Sequence, residues 1–564
     1  MSEAVEQVSA LLDRMGAPPA LAPRLASALG PRAATALADD PWLLLRLPQI
    51  TVEQADYCAR TYLGEAARPD DPRRLAALTG HTLRRAAARG HTAVEEKRLA
   101  AVVGKLGVQR PADALEAAEA TETTVVFEST DDTDDDFDLT EGGVPDLPDP
   151  ERFHALPDVG HAEQRLGEQL LRLIGANDPI MDSATAGETV EAAADKYGLD
   201  VDEQTREALI TIALRPVTVL RHGPGALTTL ARAVLCMDAI ASDSQVGISV
   251  AAPTAQAAAA LNTALVGVVP EPPVRAISLD ALLDRAPLST GLVVLTEAMS
   301  VGTARAAQLA SVCAEGAHLV LAADPHQAPS ASPGQVVIDI ASSRTAHVTE
   351  LGLGEEGPLT ELVSAVARGE VPEVEAPGHE VVRIPASSAE EAAHRVVQLL
   401  TDSIPRALEI APEQVQIIAA REEGPAGARA LNAAFKEHLN PGTGFDVGDR
   451  VQIESGDTGY LREFSEGAVV ELADGTRTTV TDPSALRHAW AITVAAAHGG
   501  LWPAVVLVLP PDSPVSRPQV YTALTRATRH VSVVDATGGG LETGVRDNAA
   551  LERTTRLVRV LRET

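Results

Sequence analysis

The stretch that decides the fold is PVTVLRHGPGALTT, residues 216–229. Val217-Thr218-Val219-Leu220 is a short, continuous apolar run of the kind that forms a buried strand, and Gly223-Pro224-Gly225 breaks it just before a helix opens. Strand, glycine-rich turn and helix N-terminus form the layout of a phosphate-binding loop, in which backbone N–H groups and the helix dipole face an anion. The full chemistry needs GxxxxGK[ST]: glycines turn the N–H groups inward, a lysine neutralises the outer phosphates, and a hydroxyl holds Mg²⁺. This segment keeps Gly223, Pro224, Gly225, Thr228 and Thr229 but lacks the second glycine and the lysine. An ordinary strand-to-helix turn is the competing reading of the same residues.

Outward from that loop, apolar runs alternate with helical stretches. The runs are VGISVAAP (246–253), GLVVL (291–295) and AHLVLAA (317–323), then VVRIPA (381–386), VQIIAA (415–420), WPAVVLVLP (502–510) and HVSVVDA (530–536). Continuous apolar strands separated by helices predict parallel sheets covered on both faces. Two sets predict two α/β domains in tandem, over 161–345 and over 346–444 with 489–564. Between them, residues 445–488 alternate as a small antiparallel barrel would. Residues 1–110 read as helical, with tight turns near Gly30-Pro31 and Pro48-Gln49-Ile50-Thr51. These turns suit either a plain helical bundle or a helix-hairpin-helix that grips DNA phosphates through backbone N–H groups. Residues 111–160 read as an acidic linker, a solvated spacer or a decoy for a basic surface.

Composition limits the function. The chain has 564 residues and a formal charge of −33, which argues against a nucleic-acid coat or an anionic membrane partner. The charge is uneven: residues 1–110 carry 15 basic and 12 acidic side chains, and residues 111–151 carry 15 acidic and no basic ones. Cys58, Cys236 and Cys313 lie far apart, so neither a disulfide framework nor a cysteine zinc cluster is expected. No HExxH, GxSxG or Cys-His signature occurs, and no metal site is expected. Aromatics are only 2%, which leaves few stacking platforms for single-stranded nucleic acid. Without a long apolar run or a secretory leader, the expected location is cytoplasmic with no membrane partner.

Taken in order, the motifs resemble those of the RecD-like family of superfamily 1 DNA helicases. LDVDEQTREAL (199–209) is similar to the adenine-reading segment, with Gln204 the matching glutamine. APTAQAAAAL (252–261) is similar to the strand-helix that holds single-stranded DNA and includes Thr254. VVLTEAMS (293–300) and AADPHQAPSASPGQ (322–335) match the next two motifs, and carry Glu297 and Gln327. GDRV (448–451) opens the small insertion. AITVAAAHGGLWPAVVLVL (491–509), with Thr493, and VYTALTRATRHVSVV (520–534), with Arg526, complete the set. Residues 39–94 also resemble the family's N-terminal helical region. The resemblance implies two tandem RecA-like P-loop domains, an SH3-like β-barrel insertion and a preceding all-α helix-hairpin-helix-like domain. It implies nucleotide binding by Gln204, the loop residues and Gln327, DNA contact by Thr254 and Thr493, and catalytic roles for Glu297 and Arg526.

The departures are systematic. The phosphate lysine is replaced by Leu227, and the chain's four lysines are Lys97, Lys105, Lys196 and Lys436, none of them in the loop. The Mg²⁺-ordering aspartate is Thr296. The coupling segment has become Ala495-Ala496-Ala497-His498, and the basic DNA-holding positions read Gln256 and Ala259. Phosphoryl transfer depends on positioning and electrostatic stabilisation, so these losses predict a helicase-like protein without ATP turnover. Arg221 or Arg232 would be the substitutes for the lysine. Without chemistry, Glu297 and Gln327 would remain as capping or bridging groups, and Arg526 as one half of an interdomain salt bridge. The expected function is a DNA- or protein-binding factor in DNA repair or recombination, its partners DNA (single-stranded or a junction) and another protein. It would require no cofactor, with weak ATP or ADP binding through backbone N–H groups. Two other readings stay open, an active helicase with an atypical loop and a nucleotide-sensing regulatory subunit.

Overall fold

The computed structural model describes residues 3–129, 151–176, 178–352, 354–465, 467–550 and 552–563. The chain divides into two compact units. The first is Met1–Arg165 with Ser332–Gly334 and Arg553–Val560; the second is Leu166–Ala331 with Gln335–Glu552 and Leu561–Thr564.

The first unit is built on short helices, among them Glu3–Met15, Ala22–Leu29, Ala33–Asp39, Val52–Leu63 and Pro72–Ala87. Their apolar faces bury Leu12, Met15, Leu25, Leu37, Trp42 and Leu78. A one-turn segment, Gly30–Arg32, joins the second and third helices, with Gly30 at φ 71°, where a side chain would be strained. Thr51 and Gln54 form a reciprocal capping box that starts the Val52–Leu63 helix. Asp56 fixes two neighbours, accepting from Trp42 Nε1 at 2.8 Å and from Arg74 through both oxygens at 2.8 Å.

The described part of the stretch 111–160, expected as an acidic spacer, is largely regular structure. Pro111–Ala120 is a helix that buries Ala114, Leu115 and Ala118. Strands β1 (Val94–Glu95), β2 (Val125–Ser129) and β3 (Glu151–Ala155) form a three-stranded antiparallel sheet in the order β1-β3-β2. The helix Pro157–Ala176 then runs through the expected boundary. Apolar spacing inside PADALEAAEA outweighs the acidic composition of the stretch as a whole. The Asp-rich run at 130–150 lies outside the described residues. The tail assigned to the second α/β domain also contributes to the first unit. There Glu163 Oε1 accepts from Thr92 Oγ1 (2.8 Å), Arg556 N (2.9 Å) and Leu557 N (3.2 Å), a pairing across almost 400 positions that no local pattern announces.

The second unit holds two parallel sheets. The first comprises β4 (Val217–Arg221), β5 (Ile248–Ala252), β6 (Ala276–Ser278), β7 (Leu292–Leu295), β8 (His318–Ala323) and β9 (His347–Glu350), in the order β6-β5-β7-β8-β4-β9. Every residue of β7 and β8 is buried, as expected for strands covered on both faces. The second sheet begins with β10 (Val381–Pro385) and β11 (Val415–Ala419). The chain then leaves for a five-stranded antiparallel sheet of β12 (Arg450–Gln452), β13 (Thr458–Phe464), β14 (Ala468–Leu472), β15 (Arg477–Val480) and β16 (Arg487–His488). It returns with β17 (Ala491–Thr493), β18 (Trp502–Leu509) and β19 (Ala527–Asp535), giving the parallel order β10-β19-β18-β11-β17. The insertion has its own small core of Val451, Leu461, Ala468, Val470 and Leu486. Among the described residues no helix is long and apolar enough to cross a membrane.

Candidate functional site

Strand β4 ends at Arg221, and the chain turns through His222–Ala226 into the helix Leu227–Asp243. His222 N donates to Ala323 O at 3.1 Å, tying the turn to the end of β8, and Gly225 sits at φ 70°. The helix is anchored by Leu230, Ala231, Val234 and Leu235 in the core, and Leu227 packs partly buried against the same cluster. Ala226 supplies no side-chain cap. The first turn instead meets residues 354–360 of the same chain. Thr228 Oγ1 donates to Glu355 Oε1 at 2.7 Å, Glu355 N donates to Gly225 O at 3.1 Å, and Thr360 Oγ1 donates to Glu355 O at 2.8 Å.

Beyond β7, Thr296 is buried and bound to β5, with its N at 2.9 Å and its Oγ1 at 3.3 Å from Ala251 O. Glu297 follows in the left-handed region (φ 50°, ψ 36°), which turns its carboxylate toward Arg526. The Arg526 guanidinium, 1% exposed, donates to Glu297 Oε2 (3.0 Å), Thr522 O (3.1 Å), Gly500 O (3.1 Å) and Thr525 Oγ1 (3.0 Å). Burial pushes the Glu297 carboxyl up, but Arg526, with His222 and His498 behind it, outweighs burial and holds it below its ordinary value. Asp324 accepts from Tyr521 Oη (2.7 Å) and His326 N (3.1 Å), and burial still raises its pKa. Gln327 is 4% exposed, and neither its Oε1 nor His222 Nε2 has a partner among the described residues.

The turn His222–Ala226, Thr228, Glu355, Thr360, Glu297, Asp324, Gln327 and Arg526 line one cleft of about 1050 Å³. It brings together Gly223, Pro224, Gly225, Thr228, Glu297, Gln327 and Arg526 from the residues expected to act. Gln204 is exposed at the start of the helix Glu203–Leu214 and does not line the cleft; nor do Thr229, Thr254 and Thr493. Thr254 and Thr493 are helix caps, accepting from Ala257 N and Ala496 N. The substitutes fare no better: Arg221 pairs with Glu350 at 3.8 Å, and neither Arg221 nor Arg232 reaches the cleft. No lysine lines it among the described residues. Lys436 is held by Asp446 and Asp449, and Lys196 lies over the Tyr197 ring. Seven carboxylates line it (Glu297, Asp324, Glu355, Glu356, Glu380, Glu413 and Glu471) beside the guanidiniums of Arg450, Arg526 and Arg529.

Sequence reasoning missed Glu355 and the Asp324–Tyr521 pair. Tyr521 lay inside a motif already noticed; Glu355 had no signal, standing 127 positions from Thr228. It also missed Glu96, Glu119 and His154 in the first unit, whose ligand atoms lie within 4.8 Å of one another. Arg152 already pairs with both glutamates there, at 2.6 and 3.2 Å, so the cluster is compensated from within.

Two parallel sheets, with a strand–turn–helix phosphate loop on the first, define a P-loop NTPase fold of helicase build. Three family profiles match along it in order: the HHH domain of the ATP-dependent RecD2 DNA helicase over residues 1–93, an AAA domain over 201–384, and the UvrD-like helicase C-terminal domain over 488–534. Together these matches support a RecD-like superfamily 1 helicase. The ATP-dependent RecD2 DNA helicase of Deinococcus radiodurans is 27% identical over 496 residues, covering 81% of this chain and 65% of that protein. This chain therefore spans just under two thirds of the relative's length. Among solved structures, the Pif1 helicase of Candida albicans is 13% identical with a TM-score of 0.37, covering 65% of this chain and 99% of that one. The Bacteroides Pif1 helicase in complex with ADP-AlF3 and ssDNA is 16% identical with a TM-score of 0.36, covering 60% and 93%.

Proposed function

We propose that this RecD-like chain does not turn over ATP and works as a DNA- or protein-binding factor in DNA repair or recombination. The observation that carries the reading is that no lysine, among the described residues, lines the cleft at the phosphate loop. Losing one strong electrostatic donor costs phosphoryl transfer on the order of 3 kcal/mol, or at least ~100-fold in rate. Thr296 stands in the metal-ordering position and spends its hydroxyl on Ala251. The surviving acid and arginine, Glu297 and Arg526, neutralise each other. On this reading Gly223, Pro224, Gly225, Thr228, Thr229, Gln204 and Gln327 are remnants of a nucleotide site, and Thr254 and Thr493 of a DNA track. The parallel sheets are RecA-like domains and the 445–488 insertion an SH3-like barrel. DNA contact belongs to the helical region 1–110, which carries 15 basic and 12 acidic side chains; a protein partner has the remaining surface.

ATPase measurement with and without single-stranded DNA tests the reading. Turnover is expected far below the ~1–100 per second of phosphoryl-transfer enzymes. Turnover above ~1 per second that disappears in Glu297→Gln would overturn it and favour the active helicase, whose support is the retained, ionised Glu297. His222 Nε2 and Gln327 Oε1, unpaired in the cleft, favour a third reading, a regulatory subunit that senses nucleotide without cleaving it. Thermal stabilisation by millimolar ATP or ADP would support that reading, because a ligand of the native form alone must raise its stability.

A further inference from the structure

We propose that the phosphate loop carries an internal ligand: the Glu355 carboxylate occupies the place at the start of the Leu227–Asp243 helix that a nucleotide phosphate needs. Polyphosphate enters only when the segment Gly354–Thr360 lifts. The inference rests on reading this cleft as a nucleotide site fallen silent, and it names what silences it beyond the lost lysine.

Two bonds clamp the segment to the loop, from Thr228 Oγ1 to the side chain of Glu355 and from Glu355 N–H to Gly225 O, while Thr360 Oγ1 braces the segment from within by donating to the Glu355 carbonyl. The two backbones touch closely enough to require glycine on each side. A Cβ on Gly225 would lie 2.9 Å from Glu355 O and 3.0 Å from Thr360 Oγ1. A Cβ on Gly354 would lie 2.6 Å from the Gly225 carbonyl carbon and closer still to Pro224 O. A helix N-terminus favours an anion through its dipole, and here the chain sets its own carboxylate on the first turn through the Thr228 hydroxyl. A phosphate arriving at Thr228 must displace one carboxylate bond and then sit beside the carboxylate it displaced, with no ammonium to offset the repulsion.

ATP titration calorimetry on the full chain tests this, using Glu355→Gln, Glu355→Lys, Gly354→Ala and, as a control on the exposed face of the next helix, Glu361→Gln. Glu355→Gln removes the charge, and Gly354→Ala wedges the segment off while leaving the carboxylate in the sequence. Affinity for ATP is expected to rise at least about tenfold (about 1.4 kcal/mol) in Glu355→Gln. It should rise further in Glu355→Lys, which sets an ammonium beside Thr228, and in the same direction in Gly354→Ala. Glu361→Gln should match the parent. The inference is overturned if Glu355→Gln and Gly354→Ala, shown folded by circular dichroism, titrate like the parent, or if Glu361→Gln gains as much. These outcomes are separate from the fate of the silent-site reading, which falls on rapid hydrolysis by the unaltered chain.

Discussion

Replacing Arg526 by leucine asks whether the Glu297–Arg526 pair is structural or catalytic. The substitution removes four hydrogen bonds at 3.0–3.1 Å and strands an ionised Glu297 whose side chain is only 14% exposed. Removing one partner of a buried pair costs about 3–5 kcal/mol. Glu297→Gln keeps the shape and leaves Arg526 bonded to two carbonyls and a hydroxyl, so about 2 kcal/mol is expected, within the range for a hydrogen bond to a charged group. The double variant strands neither charge, and its deficit should fall short of the sum by about 1–3 kcal/mol of coupling. Urea unfolding followed by tryptophan fluorescence reads this through Trp490 and Trp502, both in the second unit. The sign with pH is fixed. Glu297 is held below the ordinary 4.5, so its contribution is complete above that value and lost as pH falls through the lower folded one. The Arg526→Leu deficit should therefore shrink in acid. Residues kept for chemistry tend to cost a protein stability. An Arg526→Leu protein as stable as the parent would therefore refute the structural assignment.

Three further substitutions give measurable outcomes. Asp56→Asn should lower the stability of the first unit by about 3 kcal/mol in a thermal melt, because it breaks the Arg74 pair and weakens the Trp42 bond. Burial raises the Asp56 carboxyl, but Arg74 and Trp42 hold it below its ordinary 3.8, so that contribution is lost as pH falls beneath this value. Lys436→Met should cost about 3 kcal/mol, the low end for a broken buried pair, since Asn440 and Asp446 N still bond Asp449. Asp324→Asn should leave the protein as stable or more stable at neutral pH. Burial raises the folded pKa of Asp324 above 3.8, so the parent loses stability as pH rises past that value, and the advantage of the variant should vanish below it.

The sheets were legible because strands covered on both faces are continuous apolar runs, and HLVLAA or WPAVVLVL cannot hide in composition. The phosphate loop was legible for a related reason: glycines punctuate a strand and a helix opens at once. The site was legible only in its local parts. Glu297 and Arg526 were each noticed within their own motif, and their 3.0 Å pairing fits the structural role weighed for Arg526. Thr254 and Thr493 were expected from their motifs to touch DNA, and the local sequence does not announce that each hydroxyl caps the helix that follows it. Glu355 was invisible because a pair of adjacent carboxylates in LGLGEEGP has no periodicity, and tertiary packing alone brings one of them to Thr228. The stretch 111–160 misled because net charge was weighed over the whole segment, while folding follows the apolar spacing within PADALEAAEA.

The contacts that join the two sheets bear on what this scaffold can do. Asp324 bonds Tyr521, Glu297 bonds Arg526, Ala328 N donates to Thr522 Oγ1 at 2.7 Å, and Gln256 Nε2 donates to Leu501 O at 2.6 Å. Thr254 Oγ1 donates to Gly499 O at 3.2 Å, and Asp457 of the insertion accepts from Ala255 N at 2.7 Å. Such bonds contribute about 0.5–1.5 kcal/mol each, more where a charge takes part. A ligand can move a two-state equilibrium only by its difference in affinity for the two states. A nucleotide that finds no ammonium in the cleft, and a carboxylate already seated on Thr228, has little difference to spend against several such bonds. On the proposed reading the partner surfaces are therefore held in one arrangement, and affinity for DNA or for a protein partner should be the same with ATP, with ADP and with neither. Fluorescence anisotropy on labelled DNA, at fixed salt and at 1 mM nucleotide, measures this directly. A severalfold change in dissociation constant between ATP and ADP would mean that the cleft still transmits nucleotide state across those bonds.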